Sequence, residues 1–482
     1  MFDMRPVGYV IGLMVAMLGL TMLLPFAVDL ADGNGHHSVF LQSALLTFLV
    51  GGFVALSCQT AKVKGLTLQQ TFLLTTGVWL ALPIFGALPF LFGATESRLV
   101  DAVFEAMSGL TTTGSTVLSG LDGLPMGLNL WRAMLQWLGG IGIIVVAMVF
   151  LPELRVGGMQ IFKSEGFDTM GKILPRATEI SKQISGIYVG ITLACFLTYF
   201  IMGMPAFDAV IHALTTVATG GFSNHDASFG AFSGPLEYAA VVFMILAALP
   251  FVRYVQLVNG HSSALWHDSQ VRGFLMTLVV LVILFSVVLG YMFPRSWEQS
   301  FREALFNVTS IISGTGYASV DYMVWGSFFV TMFFFIGLIG GCAGSTACSI
   351  KIFRYQLLFS ATRAQINRIR NPNGIFAVRY EGRRVSEDVL NSVMSFFVFF
   401  TVTLGVLAVL LALTGLDFVT ALSGAATAVA NIGPGLGDTI GPAGNFATLN
   451  DTAKWLLIAG MLIGRLELLA VYAILTPQFW RA

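Results

Sequence analysis

Three features of the sequence predict an all-α polytopic membrane protein: two leading transmembrane helices, then four helix–pore loop–helix repeats around a pseudo-fourfold pore. The first is composition: 56% of the 482 residues are hydrophobic and 10% are charged, against about 25% charged in soluble domains. The second is that ten stretches approach or exceed the roughly 20 apolar residues a spanning helix needs. The third is a short, half-length motif that recurs between these stretches.

The ten stretches lie near 7–29, 38–58, 70–92, 129–151, 184–203, 236–258, 273–293, 324–356, 391–413 and 455–476. The first exceeds the roughly 7–15-residue core of a signal peptide and has no small-residue cleavage site, so it is expected to stay as a span. Four shorter runs, near 100–111, 207–218, 302–313 and 417–429, are too short to cross and too apolar for ordinary loops. Segments of that length can be re-entrant. They fall within the last four pairs of spans, which leaves the first two spans outside the repeat. The expected units are 1–66 for the leading pair, then 67–165, 166–260, 261–375 and 376–482 for the four repeats.

Basic residues set the orientation. Arg5, the loops 59–69, 152–183 and 253–272, the segment 351–390 and Arg481 hold 19 of the 25 lysines and arginines. Such residues concentrate on the cytoplasmic side. Both termini are therefore expected in the cytoplasm, and the half-length runs enter from the opposite face.

The first run reads DAVFEAMSGLTTTGS from Asp101 to Ser115. The second reads DAVIHALTTVATGGF from Asp208 to Phe222, and the third EALFNVTSIISGTGY from Glu303 to Tyr317. Thirteen residues separate each leading carboxylate from a glycine: Gly114, Gly221 and Gly316. In the fourth run, Asp417 to Gly433, the separation is sixteen. The carboxylates read first as helix N-terminal caps, with cation attraction at the mouth second.

Irregular backbone at membrane depth is tolerated only where it is buried in protein or lines a wet cavity. Four such turns converging on one axis place carbonyl oxygens in rings that replace an ion's hydration shell. Half-helices ending there turn their partly negative C-termini toward the pore, favouring a cation. The candidate ring residues are Thr111, Thr112, Thr113 and Gly114; Ala218, Thr219, Gly220 and Gly221; Ser313, Gly314, Thr315 and Gly316; and Ala430, Asn431, Ile432 and Gly433. One such turn alone would read as a small-residue packing motif; the repetition at fixed spacing points to the ring.

The eighth stretch is too long for one span. As a continuous helix, 324–356 would run about 50 Å at about 1.5 Å per residue, against a hydrocarbon core of about 30 Å. Gly340, Gly341 and Gly344 weaken helix in its middle, where Ser345 and Thr346 are also small. The segment 340–349 reads either as an irregular insert below the turns or as a kink for close packing. Arg465 lies inside the last span, where a charge is functional by default; snorkelling to an interface is the alternative. Carbonyls of the insert are its expected acceptors. Glu467, two residues on, points elsewhere on a helix.

The motifs LTTTGST (110–116), ATGGFSNHDAS (218–228), IGGCAGSTACSIK (339–351), NIGPGLG (431–437) and GRLELL (464–469) make the chain resemble the membrane subunit of the Trk/Ktr/HKT potassium transporters, of the TrkH type. The resemblance covers nearly the whole chain. It implies a potassium-selective filter with potassium ion as the bound and transported species. It further implies that the insert with Gly340, Gly341, Gly344, Ser345 and Thr346 is a gate, which the charge of Arg465 is expected to help hold shut, together with a homodimer, a cytosolic TrkA-type nucleotide-binding regulatory ring, and a bacterial inner membrane location. Ala218 and Ala430 depart from the threonine-rich first turn, so the filter is not fourfold identical.

Other classes are less favoured. Lysine plus arginine equal aspartate plus glutamate, 25 against 25, and no polybasic block marks a nucleic-acid partner. Cys58, Cys195, Cys342 and Cys348 form no C-x-x-C pair, the histidines are dispersed, and no H-E-x-x-H or G-x-S-x-G is present, so no enzyme is expected. A secondary transporter coupling potassium to sodium or protons is the alternative; inverted broken-helix halves do not match repeats that run parallel. Arg363, Arg368, Arg370, Arg379, Arg383 and Arg384 read as lipid-headgroup contacts or as the docking surface for the regulatory ring.

Overall fold

The computed structural model describes residues 3–59, 66–95, 97–149, 177–261 and 263–481. Most of the 59–69 and 152–183 loops, which carry part of the charge argument for orientation, lies outside them.

The two leading spans are Arg5–Asp32 and His37–Cys58. They cross in close contact: a Cβ added at Gly51 would fall 2.4 Å from the Ala16 nitrogen. Small residues allow backbones to approach this way where lipid offers no hydrophobic drive between helices. The third span, Leu68–Phe92, opens with a reciprocal cap in which Thr67 Oγ1 accepts from Gln70 N and Gln70 Oε1 from Thr67 N. The fourth and fifth are Met126–Val149 and Ala177–Ile201. The seventh, Ser269–Met292, is capped by Asp268, and the ninth is Glu387–Leu413. Their outer faces are apolar and bare, Met276 at 70% exposure and Val409 at 62%, so lipid is the solvent that suits them.

Four half-length helices stand between the paired spans: Leu99–Leu110, Ala206–Val217, Trp297–Ser313 and Phe418–Ala430. Each is followed by a buried turn. The eighth span is broken into Ser327–Gly337 and Ile352–Arg370 around the glycine-bearing insert, as its length required.

Three expectations need correction. The sixth span is two helices, Pro235–Ala248 and Phe251–Val258, bent by 91°. Pro250 lacks the N–H that a continuous helix would use. The tenth is likewise Asp451–Arg465 and Leu469–Leu475, bent by 110°, with Glu467 and Leu468 at positive φ in the corner. The third half-length helix begins at Trp297, five residues before its apolar part, because Ser296 Oγ caps Gln299 N. Among the described residues the only strands form a two-residue hairpin, Arg379–Tyr380 with Arg383–Arg384. The chain is therefore all-α, with two leading helices and four helix–pore loop–helix repeats about a pseudo-fourfold axis.

Candidate pore and gate

Each half-length helix ends in the same way. Thr112, Thr219, Gly314 and Asn431 all take left-handed backbone, with φ of 52°, 50°, 79° and 52°. Their amides donate to Gly109, Thr216, Ile311 and Ala428 respectively, three residues back in every case. Thr113, Gly220 and Ile432 then bond five residues back, to Ser108, Thr215 and Thr427. The third turn differs, Gly316 N reaching Ser310 O instead. The shared geometry puts Asn431 in register with Thr112, so Gly433 is the counterpart of Gly114 despite the longer run before it.

The turns then close on one another. A Cβ added at Gly114 would lie 2.1 Å from Gly220 O, and one at Gly221 would lie 2.0 Å from Thr315 O. One at Gly316 would lie 2.8 Å from Gly433 N, and one at Gly433 would lie 3.1 Å from Gly114 O. The first touches the second, the second the third, the third the fourth, and the fourth the first. All four candidate segments are thus brought into one ring, and Gly114, Gly221, Gly316 and Gly433 line a single cavity on its outer side.

The ring is braced from behind. Arg132 Nε donates to Glu105 Oε1 at 2.8 Å and its NH1 to Ser223 O at 2.6 Å. Its guanidinium also lies over the Phe222 ring. Glu105 in turn accepts from Thr116 Oγ1 and Val117 N. This buried pair links the strands of backbone leaving the first two turns. Gln136 Nε2 donates to Gly220 O at 2.7 Å, and Ser115 Oγ to Gly433 O at 2.7 Å. Asn431 Nδ2 donates to Thr113 Oγ1. Sequence reading missed Glu105, Arg132 and Gln136. The available signals were a charge and an amide inside an apolar span, Arg132 and Gln136, and a second charge, Glu105, in the middle of a half-length run.

The leading carboxylates are mostly not caps. Asp417 is one, accepting from Val419 N and Thr420 N. Asp101 pairs with Lys454 and Arg98, and Asp208 accepts from Asn224 Nδ2. Glu303 sits well inside its helix and pairs with Arg295. At the outer rim, the hydrogen bond from His225 and the Asp226 amide hold the Asp122 carboxyl below its ordinary range.

The insert lies against the inner side of the ring and touches all four repeats. Ser349 N donates to Ala430 O at 2.9 Å, and Thr346 Oγ1 to Val217 O at 3.1 Å, the last residues of the fourth and second half-length helices. Cys348 meets Thr112 Oγ1 at 3.6 Å, and its amide lies 3.2 Å from a Cβ placed at Gly314. The bend in the sixth span supplies further partners. Ala247 O accepts from Thr346, Ala248 O accepts from Cys342 N, and Phe251 N donates to Gly344 O. Gly340 N and Ile350 O close the neck of the insert, and Ile352 N bonds back to Gly341 O. Ser345 Oγ donates to Cys342 O within it.

Arg465 is buried beside the insert as expected, but its acceptors differ. NH1 contacts Cys348 Sγ at 2.7 Å and NH2 donates to Gly139 O of the fourth span at 3.1 Å. Of the insert's carbonyls, Gly341 O and Gly344 O accept from the Ile352 and Phe251 amides, Cys342 O from Ser345 Oγ and Ala347 O from Lys351 Nζ. Glu467 is not on a shared helix with Arg465, because that helix ends at Arg465; from the corner it pairs with Arg354, which lies over the Phe396 ring. A cavity of about 30 Å³ lies among Ser345, Cys348, Asn431 and Arg465. It has room for about one or two waters and none for a hydrated cation.

Re-entrant half-helices around a closed ring of backbone, in a lipid-facing bundle, define a polytopic membrane transport protein of the pore-loop class. The family model described as TrkH, cation transport protein, matches residues 36–478. The chain is 44% identical to the Trk system potassium uptake protein TrkI of Halomonas elongata, over 99% of this chain and 97% of that one. It is 36% identical to the Trk system potassium uptake protein TrkH of Salmonella typhimurium, over 99% of both. The crystal structure of the potassium transporter TrkH from Vibrio parahaemolyticus superposes with a TM-score of 0.91 at 33% identity, covering 100% of both chains. The chain belongs to the TrkH family, a family of transport proteins and not of enzymes.

Proposed function

We propose that this chain takes up potassium across a bacterial inner membrane through a carbonyl-lined filter made by the four turns, gated by the insert at 340–349 with Arg465. The observation that carries the reading is the ring itself: four turns that each enter left-handed backbone at the same place, packed around a closed circuit, over an insert that contacts the first, third and fourth turns and the last residue of the second half-length helix. Potassium as the ion comes from relatives that are named potassium uptake proteins and cover the whole chain. We keep the repeat units 67–165, 166–260, 261–375 and 376–482, each of which holds one half-length helix; the boundary at 165/166 lies outside the described residues. Relatives named as parts of a Trk system support a chain that works within a Trk complex; the homodimer and the cytosolic TrkA-type nucleotide-binding ring are carried by the sequence resemblance alone. The basic residues support cytoplasmic termini, with the arginines of 363–384 facing that ring.

The test is ion flux into liposomes containing the purified chain, with potassium, rubidium, sodium and lithium compared. Potassium and rubidium are expected to enter well ahead of sodium and lithium; equal entry of sodium and potassium contradicts the filter. For orientation, Asn34→Cys and Asn373→Cys, both at exposed positions, are expected to react with impermeant thiol reagents from opposite sides.

A further inference from the structure

The four turns solve one problem differently at their third residue. In the first turn this residue is Thr113, whose hydroxyl ties back to Thr111 Oγ1 at 2.7 Å. In the third it is Thr315, tied to Ser313 Oγ at 2.8 Å. In the fourth it is Ile432, and the neighbouring Asn431 reaches across to Thr113 Oγ1 at 3.0 Å. In the second turn the two corresponding residues are Ala218 and Gly220, and neither has a polar side chain.

Gln136 fills that place. It belongs to the fourth span, 84 positions away in sequence, and its side chain is fully buried. Its Nε2 donates to Gly220 O at 2.7 Å and its Oε1 accepts from Phe222 N at 3.0 Å, so the amide clamps the peptides on both sides of Gly221. A Cβ at residue 220 would fall 2.3 Å from Gln136 Cδ and 2.4 Å from its Oε1. The amide therefore stands where a side chain on the second turn would stand. Gly220 is not in left-handed backbone, so its lack of a side chain answers to this occupancy and not to a φ requirement.

Taking the ring to be the filter, we infer that Gln136 is a positioning residue for ion selectivity: it supplies from the first repeat the polar brace that the second turn lacks, and fixes the carbonyl of Gly220 at the seam with the first turn. A carbonyl ring discriminates between ions through the number and placement of its oxygens. Losing the brace at one turn should blur that placement while leaving the pore open.

Gln136→Met keeps the length and removes both hydrogen bonds. The expected result, in liposomes with normal protein yield, is a fall of about fivefold in the potassium-to-sodium flux ratio, the scale of one hydrogen bond, with potassium flux itself little changed. Gln136→Ala combined with Gly220→Thr vacates the space and returns a hydroxyl to the second turn itself. Its ratio should recover toward that of the unmodified chain. An unchanged ratio in Gln136→Met overturns the inference. So does a double variant no more selective than Gln136→Met, or loss of folded protein in both, which would make Gln136 scaffold only. If the unmodified chain itself shows no preference for potassium, the fault lies with the filter reading rather than with Gln136.

Discussion

The four turns and the insert beneath them are both irregular backbone at membrane depth, yet they satisfy their polar groups in opposite ways. Each turn bonds mainly to its own half-length helix, three residues back in all four and five residues back in three of them, and the first two are then locked from behind by Glu105, Arg132 and Gln136. The insert bonds largely to other elements: Ala247 and Ala248 of the sixth span, Val217, Ala430, and Gln270 Oε1, which accepts from Ala343 N. Backbone held by its own helix moves only if that helix moves. Backbone held by borrowed partners can leave when alternative partners, water included, take over. The difference suits one region to selection and the other to gating.

The largest expected effect breaks the rigid region. Glu105→Ala leaves Arg132 charged and without its carboxylate at a site 1% exposed. Removing one partner of a buried pair costs about 3–5 kcal/mol. Thermal unfolding in detergent should show a clear loss of stability; a midpoint equal to that of the unmodified chain would mean the brace is dispensable.

Gly316→Ser acts at the ring itself. The residue sits at φ 80°, and an added Cβ would lie 2.8 Å from Gly433 N. Side chains in such backbone cost about 1–3 kcal/mol. Potassium preference over sodium is expected to fall about tenfold, equivalent to about 1.4 kcal/mol. Liposome flux with each ion reads this directly, and an unchanged ratio would take Gly316 out of the filter.

Effects on the insert should be smaller in energy and different in kind. Arg465→Ala removes the contacts to Cys348 and Gly139. Potassium flux through the chain alone is expected to rise about fivefold, equivalent to about 1 kcal/mol. Thr346→Val removes the hydroxyl bonds to Val217 O and Ala247 O and should raise flux about twofold, since neutral bonds contribute less. A smaller rise with Arg465→Ala than with Thr346→Val would reverse the ranking of the two contacts.

The same contrast explains what could be read from sequence. Spans, half-length helices and turns rest on local apolar runs and on a repeated spacing, so they were legible to within a few residues. The broken eighth span was legible because its length exceeds the bilayer. What escaped depends on partners far along the chain. The 91° bend after Ala248 pairs with an insert about 100 residues later, and Pro250 alone was its signal. The Glu105–Arg132 pair is 27 residues apart, the Arg354–Glu467 pair 113 apart. Arg465 itself was legible as a functional charge. Its acceptors were not, because they are the Cys348 side chain and Gly139 O, 117 and 326 positions away in sequence.

The claim that selection and gating reside in separate regions is tested most directly by one paired flux measurement on Gly316→Ser and Arg465→Ala in liposomes without any partner protein. The account predicts that Gly316→Ser lowers the potassium-to-sodium ratio without the rise in potassium flux, and that Arg465→Ala raises potassium flux at an unchanged ratio. Normal yields with Arg465→Ala flux no higher than that of the unmodified chain, or with both variants shifting the ratio alike, would contradict it.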